Sequence, residues 1–105
     1  MTYQIIVRPE AAREVQDTFD WYEEKSEGLG LEFLRAAEAC LAGVKRSPLA
    51  FPIVHEQVHR AFLRKFPYTL FYIVKEERII VLACFHAKRN PIDWIRRIES
   101  QPVIE

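Results

Sequence analysis

Two stretches in the second half of the chain constrain the fold most. Residues 66–75, FPYTLFYIVK, and 78–86, RIIVLACFH, are dense in β-branched and aromatic side chains. Such side chains are stiff about χ1 and pack well on a pleated surface, so both stretches read as strands. The polar KEER between them is a turn, which makes the pair a β-hairpin. Neither strand alternates cleanly between apolar and polar. A strand apolar on both faces belongs to a sheet covered on both sides. The longest fully apolar run, IIVLACF at 79–85, is far shorter than a membrane span. The opening MTYQIIVRPE reaches Arg8 and Glu10 too early for a signal peptide, so the expected location is the cytoplasm.

The first half reads as helices. TYQIIV at 2–7 fits a short strand, and Pro9 with Glu10 then suits a first helical turn. Ala12, Val15, Phe19 and Tyr22 recur at helical steps to about residue 25. Gly28 and Gly30 permit a tight turn. A second stripe follows in Leu34, Ala37, Leu41 and Val44, ending at Lys45, Arg46 and the stop at Pro48. Two matched amphipathic helices joined by a short link form a helical hairpin. The expected class is α+β: an N-terminal strand, a helical hairpin, then an antiparallel meander. At 105 residues a single domain, 1–105, is expected, able to bury roughly two-thirds of its unfolded surface. Cys40 and Cys84, each among apolar neighbours, read as reduced core thiols. Formal charge is −4 over residues 1–58 and +4 over 59–105, which points to two surfaces with different partners.

Residues 55–59, HEQVH, match the zinc-protease pattern His-Glu-x-x-His. The pattern works only on a helix, where two histidines one turn apart bind one metal and the glutamate acts as base. Residues 58–66 instead read as a strand, with Val58, Phe62 and Phe66 among Arg60 and Arg64 on one face. A helix over about 53–65 is the competing reading. A strand places His55 in the preceding loop, 47–57, and separates it from His59. No third ligand is evident either, so no metal and no cofactor are expected.

The ordered set of WYEE, GLG, FPY before a strand, and His-x-x-Arg after the last strand resembles the RelE/ParE superfamily of type II toxin–antitoxin toxins. The pieces are FDWYEEKSEGLGLEFLRAAEACL, RAFLRKFPYTLFYIV and IIVLACFHAKRNPIDW, and the similarity runs from about residue 4 to 97. The resemblance implies a fold of strand, two helices and antiparallel meander, the order also read from the residues. It implies a toxin silenced by a cognate antitoxin, in a toxin–antitoxin hetero-oligomer. RelE-like members cleave mRNA on the ribosome, and ParE-like members poison DNA gyrase.

Cleavage through a ribose 2′-hydroxyl needs a base, an acid and cations on the scissile phosphate. By resemblance the candidates are Arg64 before FPY, the basic pair Lys88 and Arg89, and His86 as acid or base. Trp94 stands where a tyrosine would complete the tyrosine-dependent version, so the set is incomplete and the ParE-like branch is favoured. The alternatives are the ribosome-dependent nuclease, a zinc peptidase on HEQVH, and an interaction domain without toxicity. Expected partner contacts are Arg60, Arg64 and Lys65 on a strand face, Trp21 off the core stripe of its helix, and Trp94. Trp94 also suits packing of a C-terminal segment against the sheet.

Overall fold

The computed structural model describes residues 2–100; positions 1 and 101–105 of the expected domain lie outside the described residues. In chain order the elements are β1 (Gln4–Val7), α1 (Pro9–Lys25), α2 (Leu29–Arg46), β2 (Ile53–His55), β3 (Val58–Phe62), β4 (Tyr68–Lys75), β5 (Arg78–His86) and α3 (Pro91–Glu99). One five-stranded sheet has the order β1-β5-β4-β3-β2. β1 runs parallel to β5, and the other pairs are antiparallel. The expected α+β architecture is therefore present.

Two elements go beyond the sequence reading. β2 lies inside the segment read as a loop, and residues 56–57 turn it directly into β3, which rules out a helix over 53–65. α3 forms where only a packed tail was expected. Its start carries ordinary signals: Pro91 in the first turn, and Asn90 Oδ1 accepting the Ile92 N–H at 3.0 Å.

The sheet is covered on both faces, which explains its missing alternation. Ala61, Leu63, Leu70, Tyr72, Ile79 and Val81 pack toward the helical hairpin with Ala11, Phe33, Ala37 and Val44. Phe71, Ile73, Ile80, Leu82 and Phe85 pack toward α3 with Trp94 and Ile98. The buried line of α1 falls on Ala11 and Thr18, with Val15, Phe19 and Tyr22 half-buried. Ala12, expected on the core stripe, is exposed. With Val15, Leu34, Leu41 and Val7 it lines an open apolar cavity of about 270 Å³.

A bulge divides β5. Tyr72 pairs with Val81, but Phe71 pairs with Ala83, so Leu82 is an extra residue. Side chains change phase there. Ile79 and Val81 face the helical hairpin before the bulge, and Cys84 faces it after. The partner β1 also ends there, with Val7 opposite Val81. Beyond that point side chains replace the missing strand. Glu14 Oε1 accepts from the Cys84 N–H at 2.9 Å and from Arg97 Nη2 at 2.9 Å, and its Oε2 accepts from Arg97 Nε at 2.8 Å. Arg97 Nη2 also donates to the Leu82 carbonyl. One ion pair thus ties α1, β5 and α3 together.

Candidate functional site at the end of the last strand

The helical turn that carries WYEE and GLG is built around one carboxylate. Glu23 accepts from the backbone N–H groups of Gly28 and Gly30, each at 2.9 Å, at the start of α2. Gly28 adopts φ +88°, and a Cβ on Gly30 would lie 2.7 Å from the Phe19 carbonyl. Both glycines are therefore required by geometry. The turn fixes Tyr22, whose ring lies 5.6 Å from Phe33, 5.0 Å from Phe66 and 6.2 Å from Tyr68. Burial raises the Tyr22 pKa, and Tyr68 adds to the shift. Three separate motifs, WYEE, FPY and the strand-end histidine, thereby meet at one end of the molecule.

Tyr68 pairs across the ladder with His86, their rings 5.1 Å apart and edge to face. The bulge at Leu82 makes this possible. A β5 that kept the phase of Ile80 would turn His86 to the α3 face. His86 Nδ1 accepts the Lys88 backbone N–H at 3.0 Å, so the proton of the neutral ring sits on Nε2. Arg89 donates its backbone N–H to the His86 carbonyl at 3.0 Å. Its guanidinium lies 4.6 Å from the centre of the Phe85 ring and 3.4 Å from Asp93. A cavity of about 330 Å³ opens here, lined by His86, Arg89, Tyr68, Glu14, Asp17 and Thr18. It offers a cation, a carboxylate, a phenol and an imidazole donor to a polar partner.

The other expected residues lie elsewhere. Arg64 lines cavities along α2, with Lys65 in one of them. Lys88 is exposed and contributes its backbone N–H. Arg60 lies with its guanidinium 4.8 Å from the Phe62 ring centre. Trp21 is 51% exposed beside Lys25, whose ammonium is 4.6 Å from the ring centre. Trp94, expected at a partner surface, is instead core: it is buried, and its ring stacks on Phe71 at 4.3 Å. Tyr68, Glu14, Asp17 and Thr18 were not among the expected site residues. Tyr68 comes opposite His86 only through the bulge at Leu82; an unbulged register from the turn would set it opposite Phe85.

The HEQVH histidines lie on opposite faces of the sheet. His59 is buried against Tyr72, the rings stacked at 5.0 Å, and its Nδ1 is 2.8 Å from the Phe51 carbonyl. His55 reaches the other way, with Nε2 2.8 Å from Glu99 of α3. The zinc-protease geometry is therefore absent. His55, Glu56 and Glu99 do place their donor atoms within 4.8 Å of one another, in a partly exposed polar cluster that clasps α3 to the sheet edge. Among the described residues no helix is long and apolar enough to cross a membrane.

The fold, three helices on a five-stranded mixed sheet, matches solved ParE and RelE structures. A chain of the chromosomal ParDE toxin–antitoxin system from P. aeruginosa superposes with TM-score 0.74 at 14% identity, over 83% of this chain and 98% of that one. The isolated E. coli RelE toxin gives 0.61 at 21% identity, over 91% and 98%. The toxin–antitoxin complex RelBE2 from Mycobacterium tuberculosis gives 0.55 at 18%, over 82% and 99%. No curated protein sequence matches. The family model for the ParE toxin of the type II toxin-antitoxin system, parDE, matches residues 5–91, and the chain belongs to that family. It is a ParE-like toxin of a type II toxin–antitoxin module.

Proposed function

We propose that this chain, acting as one domain, poisons DNA gyrase and is silenced by a cognate antitoxin, and is not a ribosome-dependent nuclease. The observation that carries the choice is the state of His86. A general base needs a free lone pair facing its substrate. His86 Nδ1 is occupied by the Lys88 N–H, which leaves Nε2 as a donor. Arg64, the expected phosphate-binding arginine, lines a different cavity from His86 and Arg89. Of the expected cations, Arg89 shares the cavity with His86 and Arg64 does not, so the set a nuclease needs is only partly assembled there. The ParE family membership supports the same branch.

His86→Gln tests it. General acid–base help is worth roughly 10²–10⁴ in rate, so a nuclease built on His86 loses most of its toxicity with this change. The expected result is retained growth arrest, inhibited supercoiling by purified gyrase, DNA damage and intact mRNA. Codon-phased mRNA cuts that vanish in His86→Gln would install the nuclease.

A further inference from the structure

Along the outer side of α2, two cavities of about 620 and 300 Å³ share Ala36 and Arg64 and form one continuous groove. Its rims carry Arg35, Arg46, Arg64 and Lys65 against one acid, Glu32. Among the described residues none of these four cations has a carboxylate within ion-pair distance, whereas Arg8, Arg89 and Arg97 each have one. The floor is small: Ala36, Ala39, Cys40 and Gly43 fall at helical steps on one face of α2. The opposite wall is aromatic, made by Phe51, Phe66 and Phe62, the last 55% exposed. Arg60 lies over Phe62, and its Nε is buried without a hydrogen-bond partner.

Unpaired cations call for an anionic partner. The floor and wall choose among anions. A phosphate backbone gains little from a shallow apolar trough, but a peptide can seat a bulky side chain there and leave its carboxylates on the rim. We infer that the groove between α2 and β3 receives an acidic peptide segment carrying bulky apolar residues. This rests on the toxin reading, in which the segment belongs to the antitoxin. The site is separate from the His86 cavity, so the antitoxin does not have to cover His86 to be held.

The test uses three fluorescein-labelled probes on the intact chain: a peptide of Glu and Leu, a peptide of Glu alone, and a single-stranded RNA of equal charge. The Glu/Leu peptide is expected to bind best, more weakly as salt rises. Arg35→Glu with Arg64→Glu should weaken it about tenfold or more, because like charges then meet across the interface. Phe62→Ser should weaken the Glu/Leu peptide and leave the Glu-only peptide unchanged. All three substituted residues are exposed, so unchanged melting temperatures are expected and separate binding from folding. RNA binding as tight as the Glu/Leu peptide, insensitive to Phe62→Ser, overturns the proposal in favour of a phosphate track. Self-association at low salt that Arg64→Glu abolishes overturns it in favour of a second copy. Absence of binding by any probe overturns it outright. Growth arrest by the wild-type chain is scored in parallel: arrest without peptide binding sinks the groove alone, and no arrest sinks the toxin reading alone.

Discussion

Glu14→Ala is the most informative single perturbation of this fold. The side chain is about a quarter exposed, and its partner Arg97 about a fifth. The change removes the acceptor of the Cys84 N–H and both carboxylate acceptors of the Arg97 guanidinium. An orphaned buried N–H costs about 1–3 kcal/mol. Breaking a fully buried ion pair by removing one partner costs about 3–5 kcal/mol, and the residual solvent access here lowers that. The Arg97 contact with Leu82 survives the change. Together these give about 2–4 kcal/mol. For a domain near 100 residues that is a fall of roughly 8–32 °C in melting temperature, at about 4–8 °C per kcal/mol. Urea unfolding followed by circular dichroism measures it. Glu14→Gln keeps an acceptor oxygen and should lose about half as much. A cycle with Arg97→Met should show coupling of about 1–3 kcal/mol between the two sites. A Glu14→Ala protein within about 0.5 kcal/mol of wild type, the range of ordinary surface substitutions, would refute the idea that this pair stands in for a missing strand.

Burial pushes the Cys84 thiol up to about 12, Cys40 to about 11 and the Tyr72 phenol to about 12. The unfolded chain releases these protons from about pH 9–10, so stability is full below pH 9 and falls as pH rises toward 12; Cys84→Ala should flatten that decline. Tyr72→Phe removes a 2.6 Å hydrogen bond to the Pro48 carbonyl and should cost about 0.5–1.5 kcal/mol in urea unfolding. Chelation should leave the melting temperature unchanged, and Glu99→Ala should cost no more than about 1 kcal/mol, the range of exposed ion pairs; a chelator-sensitive transition would make the His55 cluster a metal site.

The strands β1, β4 and β5 and the helical hairpin were legible because their signals are local. Side-chain shape marks the strands, helical steps mark the helices, and Gly28 marks the turn. What stayed hidden depends on pairs far apart in the chain. Arg97 meets Glu14 across 83 positions, and nothing near either residue announces the other. The bulge was equally silent, because Leu82 and Ala83 are both apolar and give no sign that the phase changes. It decides which face His86 occupies, so the candidate site could be named from the sequence but not assembled. Trp94 shows the limit of reading an aromatic from its local sequence. It suited both a partner contact and the packing of a C-terminal segment, and the ring completes the core beneath α3.

The parallel pairing of β1 with β5 also has a consequence in time. Gln4 finds its partner in Arg78, 74 positions later. At a synthesis rate of about 5–20 residues per second, β1 leaves the ribosome roughly 4–15 s before its neighbour. Helices form in about a microsecond, so the α1–α2 hairpin has that interval to itself. The groove beside α2 is half built in those seconds, while the strand bearing His86 has yet to emerge. The end of the molecule that carries His86 is therefore the last to exist, and any partner able to bind the early hairpin meets the chain before its sheet is complete.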